Sequence, residues 1–193
     1  GSGGKDSWVQ ALTLSKKLGL KTLCVTLANH LPTTEGISNL NNMIKDLNVD
    51  HMKNTLKPSV YRSIRKKNFL NKGEANWAEH CAVFASVVNV ALIYEVPLIV
   101  WGEDIAFEFG GGQREESTSS ALQIDKSDLN RENLSVTDWL GDDLSERDTL
   151  FYEYPDYDLL KDSSIESIYL GHYINWYGRR NYDVVKERGF QSR

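Results

Sequence analysis

Gly1-Ser2-Gly3-Gly4-Lys5-Asp6-Ser7 runs without a break into Trp8-Val9-Gln10-Ala11-Leu12, and this junction decides how the chain is read. Small residues let backbone N–H groups approach an anion. A helix that begins at once turns its positive end to the same place. Successive N–H groups in such a turn form a nest for phosphate oxygens. Lys5 adds a cation, and Ser2 and Ser7 add hydroxyl donors. Asp6 disfavours a bare phosphate and reads either as a helix cap or as a ligand for Mg²⁺ carried on phosphates. The stretch is not a Walker P-loop, which places Ser or Thr after Gly-Lys, where this chain has Asp6. The competing reading is a glycine-rich turn that only caps a helix.

Outward from the loop, apolar strands alternate with helical stretches, which predicts an α/β layered fold. Residues 6–18 read as a helix, with Lys16 and Lys17 in its last turn and Gly19 as its stop. Residues 21–28 (KTLCVTLA) read as a strand. A helix over 35–47 follows, with Leu40, Met43, Ile44 and Leu47 on one face, and then a short strand over 49–52. Residues 59–69 form a basic helix and 74–94 a long apolar one. Pro97 opens PLIVWG, whose continuous apolar run predicts a buried strand. The polar stretch 109–133, with Gly110, Gly111 and Gly112, reads as a mobile loop or an insertion; 138–158 is acidic; 165–173 gives one more strand and a helix start.

The 193 residues suit one domain spanning 1–193. At 40% hydrophobic and 25% charged residues the composition is that of a globular chain, which excludes disorder as the main state. The net charge of −5 argues against general nucleic-acid binding. No run of about 18 apolar residues is present, so no membrane-spanning helix is expected. Cys24 and Cys81 stand far apart, outside any CxxC pattern, which excludes a disulfide scaffold and a cysteine-based zinc site. Free thiols and the lack of a leader-like start predict a cytoplasmic protein.

The six residues SGGKDS at Ser2 to Ser7 resemble the PP-loop of the N-type ATP pyrophosphatase superfamily, whose members split ATP into AMP and pyrophosphate. Further stretches resemble the N-acetyl sugar amidotransferase family of lipopolysaccharide and surface-glycan biosynthesis. They are Thr34, Gly36, Asn39 and Leu40 with Leu47, Val49 and Asp50; Pro97 to Glu103; and Tyr169-Leu170-Gly171-His172-Tyr173 with Trp176 and Gly189-Phe190. The resemblance covers nearly the whole chain. It implies a doubly wound parallel sheet of the adenine nucleotide alpha hydrolase-like type, here expected to lack its first strand. It implies ATP and Mg²⁺ as cofactors, a nucleotide-linked N-acetyl sugar as substrate and a glutaminase partner supplying ammonia. Tyr177 stands where the family has an aspartate after the tryptophan.

On this reading Ser2, Gly3, Gly4, Lys5, Asp6 and Ser7 hold the phosphates, and Lys5 and Asp6 are the catalytic pair. The strand end at Leu27 and Asn29, and Gly102 at the end of PLIVWG, contact the nucleotide. Asp6 and Glu103 hold the metal, because carboxylates beyond strand ends face the ligand crevice of open α/β sheets. Asp104 and Glu108 are weaker candidates for that role, and the alternative is an exposed acidic loop. His80 and Cys81 are metal or substrate candidates, against cap and core packing, which is preferred for Cys81. Arg62, Arg65, Lys66 and Lys67 read first as a solvated charged face and second as a diphosphate site. Arg114 is a lid candidate, and His172, Tyr173 and Trp176 are sugar-lining candidates or packing. Two other functions stay open: another PP-loop enzyme acting in tRNA thiolation or nucleotide amidation, and a non-catalytic nucleotide-binding module. An oligomer is also left open.

Overall fold

The structure, a computed structural model, describes residues 1–102, 136–141 and 143–192. The chain is mixed α/β and divides into two compact units. The first contains residues 1–54 and the described parts of 100–119 and 169–193; the second contains 55–99 and the described part of 120–168.

In the first unit, helix α1 (Lys5–Leu12) passes into a π-helical turn at Thr13–Lys17. The backbone N–H of Leu18 donates to the Thr13 carbonyl at 3.0 Å, a five-residue step. The helix expected over 6–18 is thus present, with its last turn widened. Strand β1 (Leu23–Leu27) buries Cys24 and Thr26 on one face. Helix α2 (Thr34–Leu47) starts at Thr33, whose hydroxyl accepts the Gly36 N–H at 3.0 Å, and ends at Asn48 in the left-handed conformation. Its buried residues Asn39, Met43 and Leu47 recur every four positions, which makes one helix stripe. Strand β2 (Asp50–Asn54) pairs parallel to β1, with Leu23 opposite Asp50 and Leu27 opposite Asn54, so β1–α2–β2 is a parallel crossover unit.

The second unit is built mainly from helix α3 (Pro58–Lys72), helix α4 (Trp77–Ile93) and the short helices α5 (Glu146–Thr149) and α6 (Tyr157–Asp162). Pro58 at the first turn of α3 and left-handed Gly73 at its end are ordinary helix punctuation. The α4 residues Trp77, Ala78, Cys81, Ala82, Ala85, Val88 and Ala91 are buried, as its apolar sequence predicts. Trp139, in a 3₁₀ turn, lies edge-on to Trp77 at 4.8 Å and to Tyr152 at 5.9 Å between ring centroids.

Strand β3 (Leu98–Trp101) pairs with strand β4 (Glu166–Tyr169). After β4 the chain makes a 3₁₀ turn and ends in helix α7 (Gly178–Lys186), which the sequence reading did not foresee. Helix α7 packs on α1: Val185 is fully buried with Trp8, Val9 and Leu12 in the core of the first unit. Among the described residues no helix is long and apolar enough to cross a membrane.

Candidate functional site

The glycine-rich loop is built by its own hydroxyls. The Ser7 Oγ accepts the backbone N–H of Ser2 at 3.2 Å and of Gly3 at 3.1 Å, and donates to the Gly4 carbonyl at 3.1 Å. The Ser2 Oγ accepts the Gly4 N–H at 3.3 Å. One oxygen held by two consecutive N–H groups is the geometry of an anion nest, with the Ser7 hydroxyl as the internal acceptor. A phosphate oxygen can compete for the same donors.

Gly3 has no substitute. Its φ is +79°, and a Cβ there would lie 2.7 Å from the Cα and 2.8 Å from the N of Leu40 on α2. The loop therefore rests directly on the α2 backbone, and only a residue without a side chain allows it. Gly1 runs beside β1: its amino nitrogen donates to the Val25 carbonyl at 2.5 Å, and its carbonyl accepts the Thr26 hydroxyl.

The N-cap of α1 is Gly4, so Asp6 sits inside the first turn and is not the cap that one reading gave it. Its Oδ2 is ion-paired with the Lys5 Nζ. Its Oδ1 accepts a hydrogen bond of 2.8 Å from the Asn181 Nδ2 on α7. Asn181 is buried, 4% exposed. Gly178, the first residue of α7, lies beside the Lys5 side chain: a Cβ there would be 3.6 Å from its Cε. The starts of α1 and α7 thus meet around Lys5 and Asp6, and two positive helix ends share one place. Arg179 and Arg180 stand exposed in the first turn of α7.

Of the other candidates, Gly102 lies in the first unit against Gln10 and the Trp176 ring; a Cβ would meet the Gln10 Oε1 at 3.2 Å and the ring at 3.4 Å. The neighbouring Val100 carbonyl accepts from the Gln10 side chain, so α1 also holds the end of β3. Leu27 closes β1, and the Asn29 side chain accepts the Leu31 N–H at 2.8 Å to form a turn. Trp176 is half-buried, whereas His172, Tyr173 and Tyr177 are exposed. Glu103, Asp104, Glu108, Arg114 and the 109–133 stretch lie outside the described residues.

In the second unit, two of the four basic candidates on α3, Arg65 and Lys67, are used by the fold. Arg65 donates to the Tyr61 hydroxyl at 2.8 Å and to Asn76 at 3.2 Å; Lys67 donates to the Trp139 carbonyl at 2.8 Å and pairs with Asp143 at 2.5 Å. Burial, followed by its hydrogen bond to Glu79, pushes the Tyr61 hydroxyl up to about 12. Cys81 is buried, and that burial pushes its thiol up to about 12, as expected of a packing residue and not of a nucleophile. His80 is exposed on the first turn of α4.

For a divalent cation, the described residues offer single carboxylates and no cluster of three or more His, Cys, Asp or Glu. Mg²⁺ carried on phosphates takes one or two protein carboxylates and completes its shell with phosphate and water. Asp6 is the described carboxylate that stands at the loop.

The site residues that sequence reasoning missed are on α7. Asn181 carries no motif by itself. The signal for its helix was the pair Val184 and Val185 followed by Gly189, a weak apolar face with a stop. Searches against protein-family models and against curated proteins gave no match.

Proposed function

We propose that the chain is the ATP-pyrophosphatase part of an amidotransferase that converts the acetamido group of a nucleotide-linked N-acetyl sugar to an acetamidino group. The sheet it belongs to is then doubly wound, of the adenine nucleotide alpha hydrolase-like type. One observation carries the reading: Ser2 to Ser7 form an N–H nest at the start of α1, pinned on the α2 backbone through left-handed Gly3. A turn that merely caps a helix needs no such contact.

In this reaction the amide oxygen of the sugar attacks the α-phosphorus of ATP, and pyrophosphate leaves. Ammonia then adds to the activated carbon, AMP departs with the oxygen, and loss of a proton gives the amidine. Backbone N–H groups of Ser2, Gly3 and Gly4 hold the departing pyrophosphate oxygens once these displace the Ser7 hydroxyl from the first two and the Ser2 hydroxyl from the third. Lys5 leaves Asp6 to neutralise the developing charge, which is electrostatic stabilisation without proton transfer. Bound Mg²⁺ would supply charge neutralisation on the phosphates, with Asp6 and Glu103 as its protein ligands. Leu27, Asn29 and Gly102 are the nucleotide contacts on this reading, and the exposed rings of Tyr173 and Tyr177 are surfaces on which a sugar can stack. Ammonia from a glutaminase partner needs no general base to act as a nucleophile.

The test uses ATP labelled at the α-phosphate, with Mg²⁺, ammonium and a panel of nucleotide-linked N-acetyl sugars. AMP formed only with one sugar is the expected result. ADP as the product would refute the pyrophosphatase chemistry.

A further inference from the structure

We infer that Asn181 is a positioning residue for Asp6, which makes α7 a working part of the loop site. The inference rests on the reading of Asp6 as the metal-side carboxylate of the loop. Asp6 has two partners, one on each oxygen: Lys5 on Oδ2 and Asn181, at 2.8 Å, on Oδ1. They differ in kind. Lys5 is a cation on a flexible four-carbon stem, and a phosphate in the nest attracts it away. Asn181 is neutral, buried and fixed on a helix. Its amide orients the carboxylate without neutralising it, so Asp6 keeps both its direction and its charge when Lys5 moves.

The position also argues against a purely structural role. Asn181 precedes Val185 by one helical turn, and Val185 is fully buried beside Trp8 and Leu12. An apolar residue at 181 would simply lengthen that stripe. Burying an amide there is unfavourable unless the amide has a partner, and the partner is Asp6. Helix α7 does not depend on Asn181 for its place. Arg188 pairs with Asp46 at 2.7 Å, Phe190 lies edge-on to Trp8 at 6.3 Å, and Asn39 exchanges two hydrogen bonds of 2.9 Å with the Gln191 backbone.

The experiment measures calorimetric binding of α,β-methylene-ATP to the whole chain, across a Mg²⁺ series and in EDTA. The wild type is compared with Asp6→Asn, Asn181→Ala, Asn181→Val and Val185→Ala, and each melting temperature is recorded. Asn181→Ala should raise the Mg²⁺ concentration for half-maximal binding at least about tenfold, the loss of one hydrogen bond to a charged group. Affinity in EDTA should stay within about twofold. Asn181→Val should keep or raise the melting temperature and still show the Mg²⁺ shift, which keeps the test valid if the alanine variant fails to fold. Val185→Ala should melt lower with an unchanged Mg²⁺ midpoint. If Asp6→Asn weakens Mg²⁺-dependent binding while both Asn181 variants match the wild type, Asn181 is structural and the inference falls alone. If the wild type binds no nucleotide, or Asp6→Asn has no effect, the loop reading fails and takes the inference with it.

Discussion

The loop end of the first unit and the helical body of the second use polar side chains in opposite ways. Around the loop, Ser7, Thr26, Asn39 and Asn181 each bond to backbone or to another polar side chain, some across more than a hundred residues of sequence. Their bonds fix where the backbone N–H groups and the Asp6 carboxylate stand. In the second unit the residues that look like chemistry are consumed by folding. Arg65 and Lys67 tie α3 to neighbouring segments. Among the described residues, its core leaves the Trp139 Nε1, the Tyr152 hydroxyl, the Asn68 Oδ1 and the Ser86 hydroxyl buried without partners. Ring burial outweighs those losses, since a buried aromatic contributes several kcal/mol against about 1–3 for an unmade hydrogen bond. The difference teaches where geometry is held to a purpose: around the loop, where these polar side chains are paired, and not in the region richer in charge; away from the loop the first unit also buries an unpartnered hydroxyl, that of Thr13.

The largest effect should come from Gly3→Ala. The left-handed φ costs about 1–3 kcal/mol in a residue with a Cβ, and the Cβ would lie 2.7 Å from Leu40 backbone, which cannot rotate away. The expected outcome is loss of nucleotide binding, with a clear fall in melting temperature. An alanine variant that binds as the wild type does would erase the contrast between the two units.

The second effect concerns Cys81 in the opposite region. Its thiol is pushed up to about 12 by burial, so its thiolate is scarce at pH 8. Alkylation of Cys81 in the folded chain should be at least about a hundredfold slower than in the unfolded chain. The sign for stability follows from a raised folded value: the contribution is complete below the unfolded thiol range and is lost as pH rises from about 9 towards about 12. Fast labelling at neutral pH, followed by mass spectrometry of the Cys81 peptide, would return that residue to the list of reactive groups.

Asn39→Ala comes third. It removes both hydrogen bonds that the buried Asn39 side chain makes to the Gln191 backbone. A loss of about 1–3 kcal/mol is expected from urea unfolding. If the loss is below about 0.5 kcal/mol, the paired polar network of the first unit holds less than the contrast requires.

Most of this was legible where one residue type leaves few options. The loop was readable because glycine at 3 and 4 beside Ser7 leaves little but an anion nest or a tight turn. The β1–α2–β2 unit was readable because Leu40, Met43 and Leu47 keep a helical period after the apolar run KTLCVTLA. Helix α7 was not, since only Asn181 and Val185 of its nine residues are buried. Its packing partner is α1, at the other end of the sequence, and no local pattern reports a contact over that distance. The charged face of α3 misled for the converse reason. Spacing puts Arg62, Arg65 and Lys66 side by side, but does not show that Tyr61 and Asn76 will claim Arg65, or the Trp139 carbonyl Lys67.

The smallest effect should be Tyr152→Phe. The Tyr152 ring is 2% exposed and packs edge-on to Trp139, while its hydroxyl is buried without a hydrogen-bond partner. Burial is also the main reason that its ionisation is pushed upward, with Tyr61 and Glu79 adding to it. Phenylalanine keeps the ring contact and removes an oxygen that gains nothing from folding. Stability should therefore stay within about 1 kcal/mol of the wild type or rise, and nucleotide binding should not move. A loss above that would mean the hydroxyl has a partner in solution, such as an ordered water shared with the Trp139 Nε1. The second unit would then be satisfied in the same way as the first, through solvent instead of through its own chain.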